Sequence, residues 1–342
     1  IINLTKGNFM DRNLALELVR VTETAALVSS QFMGRGDKNG ADAAAVEAMR
    51  RAFESVNIKG EVVIGEGELD EAPMLYIGEI VGKQNHDSME VDIAVDPLDG
   101  TTLISKGLPN VISVIAIGEK GSLLNAPDTY MKKIVVGPGA KGCIDINKTP
   151  EENIKAVAKA LNKKTTQMTI SVQDRERHND IIEAARKLGA RIQMFSDGDV
   201  ATAISTCFEE TGIDMMMGIG GGPEGVISAV AVKCMGGDMQ AKIYPMSEQE
   251  RKRCYEMGFS DDELDKVLFI DDLAKGDNLF FAATGITEGD LLRGVKNLSN
   301  NRMKTQSVVM RAKTGTIRFV EAIHNLDKSD ILIELMNKYE VK

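Results

Sequence analysis

The chain has 342 residues, 43% of them hydrophobic and 27% charged, with a net charge of −10 at pH 7. That length suits two domains or one two-lobed unit, and that balance is ordinary for a soluble globular protein. The acidic charge argues against nucleic acid or an anionic membrane as partner, but not against a phosphorylated substrate, since bound divalent cations invert the local potential.

Residues 1–9 do not begin with Met, whereas Met10 leads directly into a helical pattern, so 1–9 read as a cloning remnant or a mobile arm. Leu14, Leu18, Val21, Ala25, Val28 and Phe32 fall at helical spacing, with Asp11 as the cap and Gly34 as the stop. A second helix is expected from about Ala41, carrying Val46, Met49 and Phe53, with Asp42 in its first turn. There Asp42 either complements the positive helix end or serves as a metal ligand. Glu61 to Ile64 reads as a strand running into Gly65-Glu66-Gly67-Glu68-Leu69-Asp70-Glu71. Composition alone makes that segment a solvated acidic loop. Its place just beyond a strand also suits cation ligands.

The stretch from Val91 to Thr102 organises the rest. Val91, Ile93 and Val95 alternate with Asp92, Ala94 and Asp96, the period of a strand with two different faces. Pro97 cannot donate to a ladder, so the strand is expected to break there; Gly100 permits positive φ or close approach. Asp96 and Asp99 flank the break. Behind them Gly100, Thr101 and Thr102 offer backbone N–H groups and hydroxyls. Carboxylates for a hard cation followed by donors for an anion suit a metal-assisted phosphate site. The motif alone is equally an acidic turn closed by Asp-Gly.

Val111 to Ile117 and Met131 to Val136 read as further buried strands, with Tyr130 before the second. Up to about residue 145 the pattern is therefore two helices, then an antiparallel sheet with helices on one face. Near 150 the texture changes. Thr149-Pro150-Glu151-Glu152 opens a Lys- and Ala-rich helix. Strands at 167–172, 191–195 and 213–217 then alternate with helices at 178–188, 199–208 and 223–235. Such a series implies parallel strands with crossover helices, and ligands at the strand carboxyl ends. Those ends carry Arg175, Arg177 and His178, then Asp197 and Asp199, then Gly218-Ile219-Gly220-Gly221-Gly222-Pro223-Glu224. A charged helix near 247–257, a strand at 279–283 and a pair at 305–312 and 315–321 complete the chain.

Asp42, Glu66, Asp96, Asp99 and Glu224 are candidate hard-cation ligands at element ends. Crowded together they would raise one another's pKa unless cations bind. A three-His zinc site is unavailable, since the three His (86, 178 and 324) are scattered. Arg175 and Arg177 suit a phosphate, and Asp197 and Asp199 suit sugar hydroxyls; surface charge and helix capping are the plainer alternatives. The run 218–223 is not a dinucleotide fingerprint, because Pro223 stands where the last Gly is required. It is expected to let a ligand approach, with Pro223 at the first helical position and Glu224 in the first turn. A Gly-rich connector without a ligand is the alternative. The four Cys (143, 207, 234, 254) form no C-x-x-C and suit reduced, mostly buried thiols. No Trp, 4% aromatic residues and 18 Met make the core aliphatic and thioether-rich. No apolar run reaches membrane-spanning length, and no signal peptide precedes the first helix.

Asp96-Pro97-Leu98-Asp99-Gly100-Thr101 matches the Asp-Pro-(Ile/Leu)-Asp-Gly-(Ser/Thr) signature of the metal-dependent, lithium-sensitive phosphatases, which include inositol monophosphatases. That superfamily's second motif usually contains Trp-Asp, and here Gly220–Gly225 occupies the region instead. With the runs at 34–42, 62–79, 124–142, 196–201 and 218–225, the chain resembles bacterial class II fructose-1,6-bisphosphatases over about residues 10–330. The resemblance implies an α/β (mixed α+β) fold in α-β-α-β-α layers. A lobe over 10–165, with a largely antiparallel sheet, would hold metal and the 1-phosphate. A lobe over 166–330, with a mixed or parallel sheet, would hold the sugar and the 6-phosphate. Asp42, Glu66, Asp96, Asp99 and Glu224 would bind two or more Mn2+ or Mg2+ ions, and Asp96 would take part in catalysis. Gly100, Thr101 and Thr102 would hold the 1-phosphate, with Thr101 orienting or deprotonating the attacking water and Lys38, in the loop before Asp42, acting electrostatically. Tyr130, Arg175 and Arg177 would hold the 6-phosphate; Asp197, Asp199, Gly220, Gly221 and Gly222 would contact sugar hydroxyls. Asp99 is Glu in some relatives, and the shorter arm would shift metal geometry or choice.

The implied reaction is hydrolysis of fructose 1,6-bisphosphate in gluconeogenesis, by a cytoplasmic homo-oligomer (dimer or tetramer). Two other readings stay open. One is a related phosphatase acting on sedoheptulose 1,7-bisphosphate, an inositol phosphate or a nucleotide phosphate. The other is a non-catalytic sugar-phosphate sensor, which the intact Asp96, Asp99 and Thr101 set disfavours.

Overall fold

The structure, a computed structural model, describes residues 13–67, 74–86 and 88–340. The expected arm at 1–9, the Asp11 cap and the acids Glu68, Asp70 and Glu71 lie outside the described residues. The chain opens with α1 (Leu14–Ser29), α2 (Lys38–Phe53), β1 (Ile58–Ile64), β2 (Ile80–Val81), β3 (Met89–Asp99), α3 (Thr101–Ser105), β4 (Ile112–Glu119) and β5 (Tyr130–Val136). It continues through α4 (Pro150–Ala160), β6 (Thr169–Gln173), α5 (Asn179–Lys187), β7 (Arg191–Phe195), α6 (Asp199–Ser205), β8 (Met215–Gly221), α7 (Gly222–Cys234) and β9 (Asp238–Ile243). It ends with α8 (Glu248–Glu256), α9 (Asp261–Asp265), β10 (Leu268–Phe269), α10 (Ile270–Leu273), β11 (Phe280–Gly285), β12 (Lys296–Leu298), β13 (Arg302–Arg311), β14 (Thr316–Asn325) and α11 (Asp330–Lys338).

Two sheets form. The first runs β12-β13-β11-β4-β3-β1-β2, with β14 on β13, and is antiparallel except where β1 meets β3. The second runs β10-β9-β5-β8-β6-β7. The expected parallel arrangement holds for β6, β7 and β8, while β5 and β9 enter antiparallel. The sheets do not follow a division at 165/166. Strand β5 belongs to the second sheet, and β11 to β14 return to the first.

Period-2 alternation explains the layers. In β4, Ile115 and Ile117 join one apolar core with α1 and α2, while Val114 and Ala116 join a second with α6 and α7. In β5, Met131 and Val135 enter that second core, and Ile134 and Val136 enter a third with α4 and α5. The order is therefore helices, sheet, helices, sheet, helices, as the resemblance implied. Each aliphatic side chain so buried contributes roughly 1.5–3 kcal/mol. Helix α7 lies between two sheets, which is why nearly every residue from Gly225 to Val232 is buried apolar.

Three local expectations are corrected. Pro97 does not end β3; one extra residue is accommodated between Asp96 and Asp99, and the strand continues to Asp99. Helix α2 starts at Lys38, capped by Asp37, which accepts from the Gly40 N–H. Asp42 therefore sits in the second turn. Helix α7 starts at Gly222, one residue before Pro223. No helix among the described residues is long and apolar enough to cross a membrane, and all four Cys are free thiols.

Candidate active site

The site grows from the bulge at the end of β3. Asp96 pairs with Val114 but Asp99 pairs with Ile112, so three steps on β3 match two on β4. A bulge re-aims side chains at a strand end. Asp96 already faces the middle layer by alternation with Ala94, and the bulge brings Asp99 to the same side; the Leu98 N–H fixes Asp96 by donating to Oδ1 at 3.0 Å. Gly100 follows at φ +110°, where any Cβ would be strained. Thr101 then opens α3.

Asp99 is only 5% exposed, and its Oδ2 has no hydrogen-bond partner. Glu224 Oε2, from the first turn of α7, is likewise buried and unpartnered. Two orphaned carboxylate oxygens in one region are costly for a protein unless a cation or proton meets them. Protonation equilibria point the same way. Burial pushes Glu66 up to about 8, with Asp42 and Glu224 adding repulsion. Burial pushes Glu224 up to about 7, with Asp199 adding to it and Lys133 opposing. Asp96 is held well above the usual carboxylate range by burial, then by Asp99, Glu66 and Glu224. Asp99 is raised likewise, by burial and then by Asp199, Glu224 and Asp197. Asp42, half-buried, is raised by burial. All five expected ligands thus share one electrostatic neighbourhood. Among the described residues, however, no three acids, His or Cys form a ready-made metal cage. The donor chemistry fits hard divalent cations, and the coordination shell is not closed.

Two cavities meet here. A cleft of about 570 Å³ is lined by the acids Asp99, Asp197, Asp199 and Glu224, by Gly220 and Gly221, and by Tyr130, Arg175 and Arg177. A smaller cavity of about 230 Å³ is lined by Glu66, Asp96 and Glu224. Glu224 and Asp128 border both. The arginines are held from behind. Arg177 donates through Nε and Nη2 to Ile219 O at 3.1 and 2.8 Å, and through Nη2 to Gln173 Oε1 at 2.8 Å. Its guanidinium lies over the Tyr130 ring, 5.0 Å from the centroid. Arg175 donates to Asp174 O and Ser196 O, both at 2.8 Å. His178 does not join this cationic group. It is fully buried, with Nδ1 against Gln173 O and Nε2 accepting the Ile219 N–H, both at 2.8 Å. Burial holds it below the ordinary His range, so it is a neutral tie between β6 and β8.

The remaining expected residues lie beside the cleft rather than in its lining. Lys38 is exposed and donates to Thr102 Oγ1 at 2.9 Å, tying the starts of α2 and α3. The Thr102 N–H reaches Asp197 Oδ2 at 3.4 Å, and Gly198, not Asp197, is the N-cap of α6. The Gly222 N–H is committed to Thr129 O at 2.7 Å, so that glycine holds the 127–129 turn. Several cleft residues had no role in the sequence reading, among them Asp128, Gly198, Gln173, Glu250 and Arg253, and neither did Lys133, buried behind the lining. Gly198 and Asp128 gave no local signal. Lys133 did, since it interrupts the apolar parity of Met131 and Val135.

Comparison with known proteins gives a consistent picture. A family model described as bacterial fructose-1,6-bisphosphatase, glpX-encoded, matches residues 12–324. The chain is 47% identical over 334 residues to fructose-1,6-bisphosphatase 1 class 2 of Escherichia coli (strain K12), covering 94% of this chain and 98% of that protein. It is similar to the same extent to the fructose-1,6-bisphosphatase class 2 proteins of Escherichia coli O6:H1 and Shigella flexneri.

Proposed function

We propose that this chain, which belongs to the glpX-encoded bacterial fructose-1,6-bisphosphatase family, hydrolyses the 1-phosphate of fructose 1,6-bisphosphate to give fructose 6-phosphate and phosphate. The observation that carries the reading is one cleft whose lining holds both orphaned carboxylates, Asp99 and Glu224, and the anchored arginines Arg175 and Arg177. A bisphosphate calls for both a cation-binding and a guanidinium-lined region. Asp42, Glu66, Asp96, Asp99 and Glu224 would hold two or more Mg2+ or Mn2+ ions. Such ions, when bound, polarise phosphoryl oxygens, lower the pKa of water and neutralise the leaving oxygen. Gly100, Thr101 and Thr102 hold the reacting phosphate, with Thr101 Oγ1 accepting a hydrogen bond that orients the attacking water. Lys38 contributes charge from the start of α2. Asp197, Asp199, Gly220 and Gly221 read the sugar, and Tyr130, Arg175 and Arg177 hold the distal phosphate. Binding energy from that remote end positions the reacting one. A cytoplasmic gluconeogenic role and a homo-oligomeric state, dimer or tetramer, belong to the same proposal. Phosphate release from a panel of fructose 1,6-bisphosphate, sedoheptulose 1,7-bisphosphate, inositol phosphate and nucleotide phosphates, with Mg2+ or Mn2+, tests it. Preference for a substrate lacking a distal phosphate would overturn it.

Arg177→Ala is expected to raise KM for the bisphosphate about 10- to 100-fold, the loss of a charge-assisted contact. Turnover of p-nitrophenyl phosphate, which has no distal phosphate, should change little. Steady-state kinetics on both substrates decide this, and equal losses would remove Arg177 from distal-phosphate binding.

A further inference from the structure

We propose that Lys133 is a positioning residue of this site, holding Asp199 and the Gly220–Gly221 turn in the geometry that reads the sugar. The inference rests on the proposed function, in which Asp199 contacts a sugar hydroxyl.

Lys133 lies in the middle of β5, paired with Gly218 of β8 and Ala241 of β9. It shares the parity of Met131 and Val135, whose side chains fill the core between the sheets. Its own side chain is 2% exposed. An ammonium so placed is expensive unless paired and hydrogen-bonded. It has both kinds of partner: Asp199 Oδ2 at 2.5 Å and Gly221 O at 2.8 Å. These partners come from different elements. Asp199 opens α6 after β7, and Gly221 ends β8. Both line the substrate cleft. The ammonium is thus the point at which two separate walls of the cleft are joined.

Two glycines pack against this ion pair, though Met131 Sδ, at 2.7 Å, would be the nearest atom to a Cβ at Gly225. A Cβ at Gly220 would fall 2.3 Å from Asp199 Oδ2 and 3.2 Å from Lys133 Nζ. A Cβ at Gly225 would fall 3.3 Å from Lys133 Cδ. The glycine-rich run therefore makes room for the lysine as well as for a ligand. Packing alone does not call for a charge here, because an apolar residue beside Met131 and Val135 would avoid the desolvation cost. With Oδ2 held by the ammonium, Oδ1 is the oxygen of Asp199 that can accept from a ligand hydroxyl. Removing the ammonium frees Asp199 to rotate and leaves its buried charge unpaired.

The test uses Lys133→Met, similar in shape and uncharged, with folding followed by circular dichroism. The expected result is a rise of about 10- to 100-fold in KM for fructose 1,6-bisphosphate, with a smaller change in kcat. Hydrolysis of p-nitrophenyl phosphate, which offers Asp199 no hydroxyl, should fall several-fold less than kcat/KM for the bisphosphate when both are assayed at saturating Mn2+, which offsets the effect of the lost Lys133 charge on Glu224. Adding Asp199→Asn should raise KM in the wild-type background and add little to Lys133→Met, since both changes break the same contact. If Lys133→Met alone does not fold, the double variant, which removes both buried charges, should fold and show the same selective loss. A folded variant with unchanged bisphosphate KM, or with equal loss on both substrates, overturns the inference. Wild-type protein inactive on the bisphosphate would instead overturn the functional reading, and this inference with it.

Discussion

Stripped of divalent cations by a chelator, the protein is expected to lose stability as the pH rises from about 6.5 to about 8, and to regain it when Mg2+ or Mn2+ is added. Glu66 and Glu224 are pushed up to about 8 and about 7, from ordinary values of 4.5, by burial first and neighbouring carboxylates second. An acid whose pKa is higher folded than unfolded keeps its proton in the native state where the unfolded chain has released it. Its contribution is fully present below about pH 4.5 and is lost as the pH rises through 7 to 8. For Glu66 alone the linked free energy is on the order of 4 kcal/mol, shared with the carboxylates coupled to it. His178 and His324 act in the opposite sense below their ordinary 6.5, because burial holds both neutral. The window above pH 6.5 therefore isolates the carboxylates. Bound cations favour the ionised acids, so they abolish the loss and release protons on binding near neutrality. Melting temperature against pH, with chelator and with Mn2+, reads the first effect. Proton release in a weakly buffered titration reads the second. A melting temperature that is flat or rises with pH in the chelated protein would dismiss the carboxylate cluster as a cation site, and activity should disappear with the chelator.

Much of the framework could be read from local pattern. The run Val111 to Ile117, apolar but for Ser113, announced a strand buried on both faces, and β4 indeed lies between two cores. The β-α alternation after 167 announced β6, β7 and β8 in parallel. What could not be read was long-range pairing. Nothing near Tyr130 says that β5 leaves the first-half strands to pair with β8. Yet that register sets Tyr130 opposite Gly221 and brings its ring under Arg177. Nor does Pro97 signal that a strand will absorb it in a bulge, because the cost of a missing donor depends on what the neighbouring strand offers. Strand-end acids could be picked out singly. Their convergence needed both sheets, since Asp96 and Asp99 come from the first and Glu224 from the end of the second. Lys133 was legible in principle, as a charge on the inward parity of an apolar strand.

Thr101→Ala is expected to lower kcat on the bisphosphate by roughly 10²- to 10⁴-fold, the scale of a lost general acid–base or water-orienting group, with KM little changed. The structure separates this chemistry from folding. The position of Thr101 is fixed from either side: by the bulge and the left-handed Gly100 before it, and by Thr102, whose Oγ1 accepts from Lys38 and whose N–H reaches Asp197, after it. Thr101 itself is the first residue of α3, where Ala is well tolerated, and its backbone needs no positive φ. The alanine variant should therefore fold with unchanged melting temperature and bind Mn2+ and substrate as the parent does. Thr101→Ser, which keeps the hydroxyl, should stay within about tenfold of the parent, as expected if the oxygen and not the methyl group matters. Thr102→Ala, which removes the Lys38 contact but leaves Thr101 in place, should cost less than Thr101→Ala. Gly100→Ala should behave differently from all three, destabilising the turn through its strained φ rather than acting on kcat alone. Near-normal turnover by a folded Thr101→Ala protein would take the residue out of the mechanism and leave charge stabilisation by the carboxylate cluster and its cations to account for catalysis.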